Sequence, residues 1–122
     1  MTDGRRTILV VDDAPDSIMA LCALLKGAYD MKVAVSGEAA LRVLRGTTVD
    51  LVLLDVVMPG LDGYEVCRRI RATPRLAHLP VVFLSAHDAP EDTARALAAG
   101  ATAVLAKPVE PERLHATLER WL

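Results

Sequence analysis

Several short apolar runs in this sequence end abruptly on a polar side chain. The residues that follow these runs are Asp12 and Asp13, then Asp55, Ser85 and Lys107. Each alone has an ordinary structural explanation, as a helix cap, a turn residue or a surface charge. Three carboxylates gathered at one place, however, would raise each other's pKa values unless a cation lay among them. The set therefore predicts a site for a divalent cation.

The residue types in this set indicate both the metal and the reaction. Oxygen ligands without a histidine or a cysteine favour Mg²⁺ or Mn²⁺ over zinc. A carboxylate beside a cation, a lysine and a hydroxyl is suited to accept a phosphoryl group, because phosphoryl transfer depends mainly on positioning and charge neutralisation. Asp55, which lies in the middle of the set along the chain, is the candidate nucleophile.

Five apolar runs alternate with five helical patterns, and these elements must position the polar set. The predicted strands cover residues 7–11, 31–35, 51–54, 81–84 and 103–106, and the predicted helices begin near Pro15, Ser36, Gly63, Pro90 and Pro111. This alternation predicts an α/β fold with an open parallel sheet and helices on both faces. Ligands bind such sheets outside the carboxyl ends of the strands, which is where the polar set would meet.

Individual positions within these elements predict an edge strand and the orientation of two helices. Lys32 lies inside the second strand, and because a central strand tolerates a charge poorly, we expect this strand at an edge of the sheet. Helical spacing predicts that the fourth helix faces inward through Ala94, Leu97 and Ala98. The third helix should expose a solvated face formed by Arg68, Arg69 and Arg71.

Length and composition limit the kind of protein this is. A chain of 122 residues fits one domain spanning residues 1–122, and a net charge of -2 gives no general reason to bind nucleic acid or an anionic membrane. Cys22 and Cys67 lack metal-ligand spacing and are expected to be buried thiols. The sequence shows no signal peptide or membrane-spanning run, so the expected location is the cytoplasm.

Taken together, the motifs closely resemble the receiver domain of bacterial two-component response regulators. The matching segments are residues 11–13, 54–63, 85–86, 100–101 and 107–108. The resemblance implies a flavodoxin-like, doubly wound (βα)5 fold with strand order 2-1-3-4-5. It also implies a phosphorylation-switched signalling domain, not an enzyme with a separate substrate. In such a domain the phosphohistidine of a sensor histidine kinase, or of a phosphotransfer protein, donates its phosphoryl group to Asp55 in the presence of Mg²⁺.

The resemblance also assigns metal-binding and phosphoryl-binding roles to residues around Asp55. Asp13, Asp55 and the backbone carbonyl of Val57 would bind Mg²⁺ directly, and Asp12 would act largely through a bound water. Lys107 would pair with the phosphoryl oxygens.

Further positions are implicated in switching. The Ser85 hydroxyl would turn toward the phosphoryl group and draw its loop inward, and the Lys107–Pro108 peptide would be cis. Family members usually carry Tyr or Phe three residues before the lysine, where this chain has Val104. That departure predicts a weaker or different output on the face formed by the fourth helix, the last strand and the last helix. His87 is a candidate for tuning dephosphorylation, with a solvated loop histidine as the alternative.

Three other functions compete with this interpretation. A phosphatase or phosphotransferase that forms an aspartyl phosphate would place its nucleophile after the first strand and would carry a cap insertion, which this sequence lacks. A nucleotide-binding domain would carry a glycine-rich phosphate loop, but neither G-x-G-x-x-G nor G-x-x-x-x-G-K-[ST] is present. The intact polar set argues against a degenerate receiver that only binds proteins. The cognate kinase, the output partner and homodimerisation through the last helices are left open.

Overall fold

The protein forms a five-stranded parallel sheet with helices on both faces, as a computed structural model shows for residues 5–86 and 90–122. The strands are β1 (Thr7–Val11), β2 (Asp30–Ala34), β3 (Leu51–Asp55), β4 (Val81–Ser85) and β5 (Ala103–Ala106). The helices are α1 (Pro15–Leu25), α2 (Gly37–Gly46), α3 (Gly63–Ala72), α4 (Pro90–Ala98) and α5 (Pro111–Trp121), with a 3-10 turn at Pro74–Leu76. The strand order is β2-β1-β3-β4-β5, so the predicted fold and its order are confirmed.

Apolar side chains cover both faces of the sheet. Successive residues of β3 point to opposite faces, and all of them are buried. One face packs against α2 and α3, where Leu44 and Ile70 are buried. The opposite face packs against α1 and α5, where Leu25 and Leu118 are buried. Because β3 is covered on both sides, it is an unbroken apolar run that carries Asp55 to the carboxyl edge of the sheet.

Side-chain caps fix the starts of two helices at the predicted positions. Ser36 Oγ accepts the backbone N–H of the third residue of α2 at 3.1 Å, and Asp62 Oδ1 accepts the N–H of Glu65 at 2.9 Å. The Glu65 side chain pairs with Arg68 and Arg69, both of which are exposed as predicted. The Asp62 cap matters most for the site, because it anchors the loop that joins β3 to α3.

The strand β2 lies at one edge of the sheet, as Lys32 predicts, and the Lys32 side chain is exposed. The strand begins and ends one residue earlier than predicted. The Asp30 N–H donates to the Arg6 carbonyl at 2.9 Å and starts the pairing with β1, whereas Val35 lies beyond the last pair and is exposed.

The helix α4 buries different residues from those its sequence predicts. Ala94, Leu97 and Ala98 are exposed, and Leu97 is 52% exposed. The buried residues are Ala96 within the helix and Ala99 just past its end. The prediction was wrong because helical spacing identifies the apolar side of this helix, which includes Leu97, but the fold leaves that side exposed and packs Ala96 against the core instead.

Arg71 was predicted to face solvent, but its guanidinium instead joins α3 to two distant loops. Nε donates to the Gly100 carbonyl at 2.9 Å, Nη1 donates to the carbonyls of Leu79 at 2.7 Å and Ala77 at 3.1 Å, and Nη2 donates to Thr102 Oγ1 at 3.3 Å. Gly100 has a φ of 106°, and a β carbon there would lie 2.7 Å from Arg71 Cγ. A glycine at this position therefore makes room for the arginine.

The two cysteines are free and differ in exposure. Cys67 is buried as expected, and burial raises the pKa of its thiol. Cys22 is only partly buried, so the expectation of a buried thiol holds less well there. Among the described residues, no helix has the length and apolar character needed to cross a membrane.

Candidate functional site

Three carboxylates meet at the carboxyl edge of the sheet. Asp12 and Asp13 directly follow β1, and Asp55 is the last residue of β3. The two strands are parallel neighbours with Val11 paired to Leu54, so their ends lie side by side. One oxygen from each of the three carboxylates lies within 4.8 Å of the other two. The sheet thus brings together side chains from distant parts of the sequence.

Lys107 lies between two of these carboxylates. Its Nζ is 3.1 Å from Asp12 Oδ2 and 3.1 Å from Asp55 Oδ1. The backbone N–H of Lys107 donates to the Ser85 carbonyl at 2.8 Å, which holds the end of β5 against the end of β4. The following peptide, Lys107–Pro108, is cis, as the resemblance implies. The lysine therefore supplies one positive charge inside the acidic cluster.

Burial and charge act in opposite directions on the ionisable groups of the site. Burial raises the pKa of Asp55, as does the nearby Asp12, whereas the hydrogen bond and charge of Lys107 and the Val57 N–H lower it, and the balance remains a raised pKa. Burial alone would lower the pKa of Lys107, but its hydrogen bonds and ion pairs with Asp12 and Asp55 outweigh burial and raise it. Lys107 is therefore fully charged at neutral pH.

The three carboxylates differ in their access to solvent. Asp12 is 0% exposed, and its Oδ1 accepts the Ala14 N–H at 2.9 Å. Asp55 is 7% exposed, while Asp13 is exposed and makes the outer side of the cluster. A bound group would therefore approach Asp55 from the side of Asp13.

Close backbone packing also shapes the site. A β carbon at Gly63 would lie 2.5 Å from the Asp55 carbonyl oxygen, so only glycine allows α3 to begin directly against the end of β3. This contact fixes the backbone on the carboxyl side of Asp55. The sequence marked Gly63 as a helix start but gave no sign of this close contact, and the hydrogen-bonding N–H groups of Ala14 and Val57 gave no sequence signal because they belong to the backbone.

The donor set fits a hard divalent cation. Three carboxylates and one ammonium leave a formal charge of -2 at the cluster, which is three negative charges less one positive charge. All the side-chain donors are oxygens, and the exposed position of Asp13 leaves space for the waters that Mg²⁺ retains. Asp12, Asp13 and Asp55 are the described residues whose oxygens lie close enough together to hold such an ion.

The remaining candidate residues are placed as follows. Ser85 is the last residue of β4 and is buried, one position beyond Leu84, the partner of Asp55 in the sheet. The Val57 side chain is 71% exposed. Val104 lies in β5, partly buried and paired with Phe83 of β4. His87 lies outside the described residues, so its proposed role stays a prediction.

The chain is similar to known proteins over most of its length. The family described as "Response regulator receiver domain" matches residues 8–119. A probable cyclic di-GMP phosphodiesterase of Vibrio cholerae is 42% identical over 117 residues, covering 93% of this chain and 26% of that protein. The response regulator PleD of Caulobacter vibrioides is 39% identical over 110 residues, covering 89% of this chain and 24% of that protein. The chain thus spans only about a quarter of the length of these relatives.

Solved structures match over nearly their whole length. A putative response regulator from Chloroflexus aurantiacus superposes with a TM-score of 0.92 at 36% identity, covering 95% of this chain and 96% of that one. The receiver domain of a sensor histidine kinase from Pseudomonas aeruginosa, described with a magnesium ion coordinated in the active-site cleft, gives a TM-score of 0.89 at 32% identity, with coverages of 97% and 98%. With this fold, this acidic cluster and these relatives, the chain belongs to the response regulator receiver domain family.

Proposed function

We propose that Asp55 is the residue through which this receiver domain, a phosphoacceptor signalling domain, takes up its phosphoryl group. The observation that carries the proposal is the position of Lys107, whose ammonium contacts both Asp55 and the fully buried Asp12 at 3.1 Å. Among the clustered carboxylates, Asp55 combines burial, a fixed backbone and a cation beside its oxygen. Asp13 is exposed and forms no ion pair with Lys107. Asp12 is buried and contacts Lys107, but at 0% exposure it is closed to an incoming phosphoryl group, whereas Asp55 keeps 7% exposure.

The reaction at Asp55 is a displacement at phosphorus. A carboxylate oxygen of Asp55 attacks the phosphorus of a phosphohistidine, the P–N bond breaks, and the electron pair remains on the imidazole nitrogen, which then takes up a proton. Lys107 offsets negative charge on the phosphoryl oxygens, which is the main requirement of such a transfer. Mg²⁺, when held by Asp13, Asp55 and the Val57 carbonyl, would supply further positive charge at the same oxygens.

The proposed partners and boundaries follow from the same role. A sensor histidine kinase or a phosphotransfer protein in the cytoplasm would donate the phosphoryl group, and residues 1–122 would form one receiver domain. The output would be an attached domain or a separate protein. The relatives are several times longer than this chain, which is consistent with receivers that control other domains. A direct contact with nucleic acid or membrane forms no part of this proposal, and neither does a defined homodimer.

Phosphoryl uptake can be measured by intact mass. Incubation with acetyl phosphate and Mg²⁺ should add one phosphoryl group to the wild type. Asp55→Ala should abolish the adduct, because neither of the other two carboxylates of the cluster combines contact with Lys107 and access to an incoming phosphoryl group. Omitting Mg²⁺ should remove most of the adduct. Asp50→Ala replaces an aspartate that lies just before the opposite end of β3. The folded variant should still form the adduct. An adduct of equal yield in Asp55→Ala would refute the proposal.

Val104 is proposed to limit how far the conformational change that begins at Ser85 spreads through the domain. Ser85 would turn to the phosphoryl group, but the side chain of Val104 is partly buried against the core and has no ring to swing between two positions. We therefore expect beryllofluoride with Mg²⁺ to shift amide resonances strongly near Ser85 and only weakly near Val104. Shifts of equal size at the two positions, measured by ¹H–¹⁵N correlation spectra, would contradict this expectation.

A further inference from the structure

A concave surface lies between the carboxyl-terminal ends of α2 and α3, and we call it the α2–α3 groove. Its volume is about 350 Å³. The described residues that line it are the apolar Leu41, Ala72 and Leu76, the basic Arg45, Arg69 and Arg75, and Thr73. An apolar surface bordered by three guanidinium groups is unusual on a chain whose net charge is -2.

The α2–α3 groove is remote from the phosphorylation site. The helix α3 begins at Gly63, against the backbone of Asp55, and ends at Ala72, which lines the groove. Since each helix runs back across the sheet between parallel strands, the end of α3 lies at the opposite edge from Asp55. Binding in the groove would therefore leave the carboxylate cluster accessible.

The charges of the groove are largely uncompensated. Arg69 pairs with Glu65 at 3.2 Å, but Arg45 and Arg75 have no carboxylate within 4.0 Å anywhere in residues 5–86 and 90–122. Arg75 donates instead to the Leu44 carbonyl, which holds its guanidinium at the end of α2. Both unpaired arginines are exposed. Fixed, unpaired guanidinium groups are effective partners for carboxylates from another molecule.

We propose that the α2–α3 groove binds an acidic segment of a partner protein, whose carboxylates pair with the arginines while an apolar side chain rests on Leu41 and Leu76. Apolar lining favours a peptide over a nucleic acid, since half-buried leucines offer no match for a phosphate backbone. None of the described residues that line the groove is aromatic, so none of them offers a ring on which a base could stack, and the net negative charge of the chain repels a long polyanion.

The probe for this proposal is a displayed library of short random peptides, selected against the intact protein. Enriched peptides should contain Asp or Glu beside Leu, Ile or Phe. Their affinity, measured by fluorescence anisotropy, should fall by about tenfold or more in Arg45→Glu, which reverses an unpaired charge. Ala72→Glu, which adds a negative charge at an exposed groove position without removing an arginine, should weaken binding in the same direction.

Matched controls separate this site from general electrostatics and from the phosphoryl site. Arg120→Glu makes the same charge change on α5, at the other face of the sheet, and should alter affinity by no more than about twofold. Asp55→Ala should bind the peptides as the wild type does. The proposal is overturned if no acidic peptide is enriched, if Arg45→Glu binds as well as Arg120→Glu, or if a single-stranded oligonucleotide of equal charge competes equally well.

Discussion

Replacing Lys107 with methionine should lower the free energy of unfolding by about 2–3 kcal/mol when divalent cations are absent. The Lys107 ammonium is the cation that contacts both Asp12 and Asp55, and Asp12 is 0% exposed. Methionine keeps most of the side-chain volume but leaves two adjacent carboxylates without that charge. The expected loss lies below the usual cost for a fully buried pair because the lysine side chain is 23% exposed.

Urea denaturation with and without Mg²⁺ measures this effect. A divalent cation held by the carboxylates would replace part of the missing charge, so Mg²⁺ should reduce the deficit of Lys107→Met to about 1 kcal/mol or less. Lys32→Met, the same change at an exposed position of β2, should alter stability by no more than about 0.5 kcal/mol. If Lys107→Met loses the same free energy of unfolding with and without Mg²⁺, then the Lys107 ammonium and the divalent cation do not neutralise the same carboxylates.

Replacing Arg71 with methionine should cost about 2–3 kcal/mol of stability, although the residue lies on a helix face that otherwise carries exposed arginines. The substitution removes the donor for the carbonyls of Ala77, Leu79 and Gly100. It also removes a donor to Thr102 Oγ1, which itself accepts the N–H of the first residue of β4. The segments that lead into β4 and β5 would lose their common anchor.

The matched control is Arg68→Met, three positions earlier on the same helix. Arg68 is exposed and makes only an ion pair with Glu65 at 3.3 Å, so its loss should cost no more than about 0.5 kcal/mol. Hydrogen exchange should also be faster in the Arg71 variant at the amides of Leu79 and Val81 and of residues 100–102. Equal destabilisation by the two variants would mean that helix propensity or general charge, and not the four hydrogen bonds, explains the loss.

The sequence predicted most of the fold because its signals were local and strong. Runs such as residues 51–54 predicted strands covered on both faces, and Pro111 and the Ser36 cap mark helix starts that the structure confirms. Strand order came from the resemblance to receiver domains and not from periodicity. The grouping of Asp12, Asp13 and Asp55 followed from topology, since parallel neighbouring strands end at the same edge.

The errors arose where local pattern and tertiary contact disagree. Helical spacing identified the apolar side of α4, which includes Leu97, but that side is exposed, whereas Ala96 is buried through contacts that the local pattern does not encode. Arg71 looked like its exposed neighbours because its acceptors belong to loops up to 31 residues away along the chain. The contacts of Lys107 with Asp12 and Asp55 were also not predicted, and its role toward the phosphoryl oxygens stays a prediction.

The most direct test of the central claim is to locate the phosphoryl group on the chain. Borohydride reduces an acyl phosphate to an alcohol but leaves a free carboxylate unchanged, so treatment after incubation with acetyl phosphate and Mg²⁺ converts a phosphorylated aspartate to homoserine. Tandem mass spectrometry then identifies the converted position. We predict homoserine at position 55, with aspartate retained at positions 12 and 13. Conversion at either of those two positions, or at none, would contradict it.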